Sequence, residues 1–204
     1  MRALINVLYL VLIFSLAGCG QLIQPSLKHD LVEIKPGNYS LDKQHTSILF
    51  KVNHMGLSTF VGRFNEFDAS LEYNADDITQ SRLQAVIEMR SVDVNNEKFE
   101  RALTGKFWFN TEAYPQASFT TQSAERISDT QVKFTGLLTF LGEQKPIDLM
   151  VTFNGAGNNM LTRKYTLGFS AHTTFNRSEF GLDQYIPAVG DAISIEVHAE
   201  FQRN

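Results

Sequence analysis

The histidines and the single cysteine are the side chains of this 204-residue chain best suited to metal or nucleophilic chemistry. His45 and His54 are nine positions apart on one predicted strand, so about 30 Å would separate them in an extended chain, too far to share a metal ion. The sequence has no His-x-x-x-His pair, no Gly-x-Ser-x-Gly motif and no glycine-rich phosphate or dinucleotide loop. These patterns predict a protein with no metal, no cofactor and no catalysis of its own.

Cys19 ends the run Leu16-Ala17-Gly18-Cys19, directly after an apolar stretch. That stretch, residues 4–16, is shorter than the ~20 residues of a membrane-spanning helix and fits the core of a signal peptide. Small residues followed by a cysteine resemble a bacterial lipobox, in which the chain is cut before the cysteine and the thiol is acylated. We therefore expect a lipoprotein signal peptide over residues 1–18 and lipidation of Cys19. An ordinary secretory signal is the alternative.

Lipidation at Cys19 would place the protein in the bacterial cell envelope, facing the periplasm and held to the membrane by its anchor. Gly20 follows the cysteine where an Asp would mark retention, which by resemblance to lipoprotein sorting favours the outer membrane. Weak periodicity over residues 19–37 predicts a flexible tether, and residues 38–204 are long enough for one domain with its own core. A formal charge of −4 without a basic cluster argues against nucleic acid as a partner.

Strict alternation of apolar and polar residues dominates the chain from Tyr39 onward, as is typical of strands with one apolar and one solvated face. Residues 95–103 have helical spacing instead and predict one short helix after a capping Asn. The apolar members of the alternating sets are Ile48, Phe50 and Val52; Phe60 and Phe64; Phe67, Ala69, Leu71 and Tyr73; Leu83, Ala85, Ile87 and Met89; Val132, Phe134, Leu138 and Phe140; Ile147, Leu149, Val151 and Phe153; Tyr165, Leu167, Phe169 and Ala171; and Ile193, Ile195, Val197, Ala199 and Phe201.

Seven or eight antiparallel strands joined by short turns are compatible with a β-sandwich or with a closed β-barrel. Alternation alone does not separate the two folds. We favour an eight-stranded barrel, because closure removes exposed strand edges and eight strands enclose room for one small ligand.

Several motifs in a fixed order together resemble the YceI-like family of bacterial periplasmic proteins over nearly all of residues 38–204. The motifs are Tyr39-x-x-Asp42-x-x-His45-Thr46-x-Ile48-x-Phe50-x-Val52-x-His54, Gly62-Arg63-Phe64, Phe107-Trp108-Phe109, Pro115-x-Ala117-x-Phe119, Thr135-Gly136-Leu137-Leu138-Thr139-Phe140-Leu141-Gly142 and Asn176-Arg177-Ser178-Glu179-Phe180-Gly181-Leu182. Family members are usually soluble, so the lipobox and tether are departures. Phe140, which follows Leu138-Thr139 where the family often has a smaller aliphatic residue, is another.

The resemblance implies a lipocalin-like antiparallel barrel whose elongated apolar cavity holds a polyisoprenoid or another long-chain amphiphile. It also points to homodimers. Alternation by itself favours a filled core, whereas the resemblance favours a cavity. The ligand-binding residues then expected are Phe50, Val52, His54, Phe64, Phe67, Phe134, Phe140, Phe153, Phe169 and Arg177.

Two of these residues are polar, and each has a structural alternative. His54 follows Phe50 and Val52 on the inward face and could meet a ligand headgroup at the cavity end. Arg177 could contact a headgroup, but it could equally fix its own loop by bonding carbonyls. For His45 we expect a structural hydrogen bond with Asp42.

The sequence therefore predicts a lipid-anchored periplasmic carrier for a long-chain isoprenoid or lipid. One alternative is an enzyme acting on an isoprenoid or quinone-type ligand, with a polar pair at the cavity end drawn from His45, His54 and Arg177. A second is a ligand-free envelope scaffold, which would have a filled interior. The volume and lining of the interior distinguish these hypotheses.

Overall fold

The computed structural model describes residues 26–204, so the predicted signal peptide, Cys19 and residues 19–25 of the tether lie outside the described residues. Ten strands and one α-helix make up most of the described chain. Their bounds are β1 Gly37–His54, β2 Ser58–Phe64, β3 Phe67–Tyr73, β4 Arg82–Glu88, β5 Val92–Asp93, α1 Glu97–Thr104, β6 Gln116–Arg126, β7 Gln131–Phe140, β8 Glu143–Asn158, β9 Tyr165–Asn176 and β10 Val189–Arg203. Within residues 26–204, no helix is long and apolar enough to cross a bilayer.

All neighbouring strands are antiparallel, and β10 pairs with β1 to close the sheet into a barrel. The long β1 pairs first with β3 and then with β2, because the chain between Phe64 and Phe67 interrupts the neighbouring strand. β2 and β3 thus lie end to end and together count as one strand of the barrel wall. β4 and β5 together count as the next, which gives the eight-stranded barrel that the sequence predicts.

A bulge in β1 accompanies this change of partner. Asp42 pairs with Glu200 and Ser47 with His198, so four residues of β1 lie opposite one residue of β10. The Asp42 carboxylate accepts hydrogen bonds from the Gln44 N–H at 3.1 Å and from the Gln202 amide at 2.6 Å. It is also 3.0 Å from Nδ1 of His45.

The Asp42–His45 contact confirms the structural hydrogen bond expected for His45. Burial raises the pKa of Asp42, but the hydrogen bonds from His45 and Gln44 outweigh it and lower the pKa. The bond to Asp42 raises the pKa of His45. Glu200 also lies within 4.8 Å of this pair. The contacts around Asp42 stabilise the bulge. We do not interpret the cluster of Asp42, His45 and Glu200 as a metal site.

The alternation analysis missed β6 and the two-residue β5, although Ala117 and Phe119 of β6 belong to a family motif. The short helix is confirmed as α1, with Asn96 as its N-cap; the Asn96 side chain accepts the Phe99 N–H at 3.2 Å. α1 and residues 105–115 lie at the barrel end where β1, β7 and β9 finish. We call this end the mouth and the opposite end the base.

Residues 28–36 close the base, and we call them the N-terminal plug. Lys28 forms a β-bridge with Ala156 of β8, and a 3₁₀ turn spans Leu31–Glu33. Leu31 and Ile34 are each only 2% exposed and join the core cluster at this end. These residues are therefore part of the folded domain. Residues 28–36 lie within the tether predicted over residues 19–37, and in the structure they pack against the barrel. The bounds predicted for the signal peptide, the tether and the domain stay a prediction.

Polar contacts reinforce the plug. The Tyr73 hydroxyl donates to the Leu31 carbonyl at 2.7 Å, and the Tyr39 hydroxyl donates to the Lys35 carbonyl. Arg126 bridges Asp30 at 3.2 Å and Asp129 at 2.9 Å. Burial raises the pKa of both tyrosines to about 12.

Candidate functional site

A cavity of about 590 Å³ runs through the barrel interior. That volume falls within the roughly 300–1,000 Å³ of pockets that hold small-molecule ligands. The inward-facing apolar residues of the strands line it, so the side-chain orientation inferred from alternation is the one observed. The part of the barrel interior that the described residues enclose is therefore not filled. A filled interior is what a ligand-free scaffold would have.

All ten residues predicted to bind a ligand border this cavity: Phe50, Val52, His54, Phe64, Phe67, Phe134, Phe140, Phe153, Phe169 and Arg177. Phe50, Phe64 and Phe140 belong to the core cluster nearer the mouth. Phe134 and Phe153 belong to the cluster nearer the base, against which Phe169 packs. The cavity spans both clusters and is accordingly elongated. The ligand-binding role of these residues stays a prediction.

The aromatic rings pack side by side along the wall instead of meeting in the centre. Near the mouth the Phe50 and Phe64 ring centroids are 5.6 Å apart, and Phe64 lies 6.2 Å from Phe109. Near the base, Phe169 lies 5.6 Å from Phe153 and 6.0 Å from Phe201. Each ring gains contact with its neighbours while one side still borders the cavity.

Two inward-facing glycines allow this arrangement. Gly62 pairs directly with Phe50 across β1 and β2, and a Cβ at Gly62 would lie closer than 3.0 Å to the Phe50 ring. A Cβ at Gly136 would meet the Phe119 ring just as closely. Because these positions lack a side chain, the phenyl rings lie against the backbone of the next strand. The centre of the barrel is thereby left open.

Arg177 borders the cavity near the mouth but serves the loop before β10. Its Nε donates to the Gly190 carbonyl at 2.9 Å and its Nη1 to the Leu182 carbonyl at 2.7 Å. Its Nη2 donates to the carbonyls of Gln184 and Val189 at 2.8 and 3.0 Å.

These bonds occupy four of the five N–H groups of a guanidinium. Arg177 is only 2% exposed, and burial lowers its pKa. The geometry matches the structural alternative, in which Arg177 fixes its loop, rather than a headgroup contact. His54, by contrast, is exposed at the cavity end, where it could meet a headgroup.

α1 and the segment after it cover the mouth side of the cavity. Phe99 of α1 makes edge-to-face contacts with Phe60 and Trp108, with centroids 5.9 and 6.3 Å away. Trp108 in turn lies 6.0 Å from Tyr185. Sequence reasoning did not include Phe99, Trp108 or Tyr185 among the ligand-binding residues. The Phe107-Trp108-Phe109 motif was the available signal for Trp108, but a loop residue such as Tyr185 has no periodic pattern.

The fold and interior define a lipocalin-like barrel with one apolar internal cavity in the described part of the chain. Residues 39–201 match the model of the YceI-like domain, and the chain belongs to that family. A UPF0312 protein of Shewanella baltica is 29% identical over 80% of this chain and 86% of its own. A UPF0312 protein of Shewanella oneidensis is 31% identical over 73% of this chain and 78% of its own.

Solved structures share the fold. BcnA of Burkholderia cenocepacia superposes with a TM-score of 0.71 at 22% identity, covering 78% of this chain and 98% of that one. The YceI protein of Campylobacter jejuni has a TM-score of 0.68 at 25% identity, covering 74% and 90%. A polyisoprenoid binding domain from Saccharophagus degradans has a TM-score of 0.64 at 14% identity, covering 81% and 98%. The fold predicted from the sequence is therefore confirmed.

Proposed function

We propose that this chain is a lipid-anchored, periplasm-facing protein that binds and carries a polyisoprenoid or another long-chain amphiphile. The observation that carries this proposal is the elongated cavity of about 590 Å³, whose lining consists mainly of phenyl and aliphatic side chains. The S. degradans domain, which shares the fold, is a polyisoprenoid binding domain by name. That is the ligand class we propose here.

An apolar lining is sufficient for tight binding of such a ligand. Each buried methylene is worth about 0.8 kcal/mol before ordering costs, so about ten methylenes offer on the order of 8 kcal/mol. The lining provides few polar groups to recognise a headgroup, and Arg177 is already bonded to carbonyls. Recognition of the ligand therefore rests on its tail, and we propose no enzymatic activity.

Blocking the cavity tests this proposal. Ala171 lines the cavity on β9, and its neighbour His172 points to the exposed outer face. Ala171→Trp places an indole ring inside the cavity, whereas His172→Trp places the same ring outside the barrel. Native mass spectrometry of protein purified from its own cells should show a co-purifying long-chain lipid with the wild type and with His172→Trp. The Ala171→Trp variant should lack it.

Circular dichroism and thermal melts must show that Ala171→Trp is folded. If it is not, Phe169→Arg provides a second block, because Phe169 also lines the cavity. A folded wild-type protein that retains no lipid and takes up no prenyl lipid would contradict the carrier function. If Ala171→Trp and His172→Trp retain equal amounts of lipid, the lipid binds outside the cavity.

The anchor is tested separately at Cys19. Its place after small residues supports acylation, and two or more acyl chains are needed to hold a protein stably on a bilayer. Radiolabelled fatty acid should be incorporated into the wild-type chain and not into Cys19→Ala, which should also leave the membrane fraction. Equal labelling of both proteins would refute the anchor without touching the cavity.

A further inference from the structure

Five exposed apolar side chains surround the mouth of the barrel, and we call them the rim. They come from three separate loops: the β1–β2 turn, the segment after α1 and the loop before β10. The rim consists of Met55, Leu57, Phe107, Tyr185 and Ile186, whose exposed fractions are 60, 82, 57, 62 and 36%.

The rim is continuous with the cavity. Met55 and Tyr185 line both, and the Met55 N–H donates to the Ala188 carbonyl at 2.7 Å, which joins two of the loops. Phe107 packs edge to face against Tyr185, with ring centroids 6.0 Å apart. A ligand that enters here would pass from the surface touching the rim directly into the cavity.

We propose that the rim docks on the surface of a lipid bilayer, from which the cavity takes up or to which it releases its ligand. This inference rests on the function proposed above, because a long-chain ligand is held in membranes and not in water. Tyrosine and tryptophan are enriched at the membrane–water interface, where one end of the ring is apolar and the other hydrated. Tyr185 and the adjacent Trp108 supply such rings at the mouth.

The charge around the rim indicates which bilayers it would bind. Lys106 precedes Phe107, and Asp183 lies two residues before Tyr185; both are exposed, one of each sign. His54 is also exposed at the end of β1. Without a basic cluster, insertion of apolar side chains has to supply the affinity, so docking should need no anionic lipid and should depend little on salt.

A second copy of the chain fits the rim less well. An aromatic side chain buries about 150–250 Å² when fully covered, so five partly exposed apolar residues offer on the order of 500 Å². A stable dimer buries about 800 Å² on each partner. A bilayer does not require a matching surface, because each side chain inserts independently.

The single tryptophan of the chain, Trp108, reports docking directly. The experiment uses the full chain purified from its own cells. If the chain is acylated, it is first bound to plain phosphatidylcholine vesicles, and if it is not acylated, it is used free in solution. Brominated phosphatidylcholine vesicles are then titrated in. Trp108 fluorescence should be quenched by the brominated lipid, at low and high salt alike, and equally without anionic lipid.

Two leucines of nearly equal exposure provide the variant and its control. Leu57 is in the rim and 82% exposed; Leu161, at the base between β8 and β9, is 83% exposed. Leu57→Ser should shift the quenching midpoint to about tenfold more lipid, as expected from losing one inserted leucine. Leu161→Ser should shift it less than about twofold.

Absence of quenching, or an equal shift with both leucine variants, would overturn the proposal. A strict requirement for anionic lipid would do the same. If Leu57→Ser instead changes a monomer–dimer equilibrium in sedimentation without vesicles, the rim belongs to a second copy. Native mass spectrometry of Leu57→Ser distinguishes the docking proposal from the carrier proposal. If the variant still retains lipid in its cavity but no longer docks, the carrier function is unaffected.

Discussion

The mouth and the base of the barrel are closed by different kinds of contact. At the base, the N-terminal plug inserts Leu31 and Ile34 into the core and accepts hydrogen bonds from two buried tyrosines. At the mouth, a short helix and a loop fixed by one buried guanidinium border exposed aromatic side chains. Apolar burial, the tyrosine hydrogen bonds and the ion pairs of Arg126 thus seal the base. At the mouth, by contrast, the covering segments carry exposed side chains such as Phe107 and Tyr185, and exposed loops are the segments that open locally. If the barrel takes up and releases a ligand as proposed, we expect the ligand to pass through the mouth.

Removing Arg177 should have the largest effect on stability. Arg177→Met leaves the carbonyls of Leu182, Gln184, Val189 and Gly190 without their donors, and it should cost about 4 kcal/mol of unfolding free energy in urea denaturation. Arg101→Met is the matched control, because Arg101 is exposed on α1 and its ion pair with Glu97 is 3.5 Å long. The control should change stability by less than about 0.5 kcal/mol. Similar losses in both variants would show that Arg177 does not hold the mouth.

At the base, truncation of Leu31 should cost slightly less. Leu31→Ala removes a buried side chain from the plug and should lower the unfolding free energy by about 3 kcal/mol. The adjacent Val32 is 57% exposed, so Val32→Ala should stay within about 0.5 kcal/mol of wild type. Chemical denaturation of both variants makes the comparison. If Leu31→Ala costs no more than Val32→Ala, the plug is not part of the cooperative domain.

High pH should act on the base through Tyr73 and Tyr39. Their folded-state pKa values are about 12, against 10.0 for an unperturbed tyrosine. Above pH 10 the unfolded chain loses these protons while the folded chain keeps them, so stability should fall with rising pH until about pH 12. Tyr73→Phe should be about 1 kcal/mol less stable at neutral pH and should lose less stability over this alkaline window. An unchanged slope in the variant would contradict the assignment to Tyr73.

The sequence predicted the barrel better than its ends. Alternation along the strands gave the inward faces, and with them the phenyl rings of the lining. Whether those rings leave a cavity depends on where Phe50 and Phe119 lie relative to Gly62 and Gly136 on other strands. Alternation within one strand does not contain that information, and only the family resemblance favoured a cavity.

Local sequence patterns did not predict the plug or the rim, for a similar reason. Leu31 is buried by contacts with Tyr73, Asp129 and other residues far along the chain, so residues 28–36 looked like a tether. The rim gathers loop residues from three places in the sequence, and loops have no period to recognise. Arg177 was singled out from its motif, with ligand contact and loop fixation as the two alternatives. The choice between ligand contact and loop fixation required the positions of the carbonyls around it.

Loss of a capping asparagine should have the smallest effect on stability. Its effect on the rate of ligand release should nevertheless differ clearly between the mouth and the base. Asn96 caps α1 beside the mouth, and Asn74 accepts the N–H groups of Asp76 and Asp77 in a turn at the base. Asn96→Ala and Asn74→Ala should each cost about 1 kcal/mol.

If ligand leaves past α1, the lost cap should raise the open population, and with it the release rate of a fluorescent prenyl lipid, about fivefold. Hydrogen exchange should rise over Glu97–Thr104 and stay unchanged in β9 and β10. Asn74→Ala should leave both quantities as in the wild type, because the turn it loosens lies at the sealed end. Equal acceleration in the two variants would mean that global unfolding releases the ligand, and the difference between mouth and base would then have no bearing on exchange.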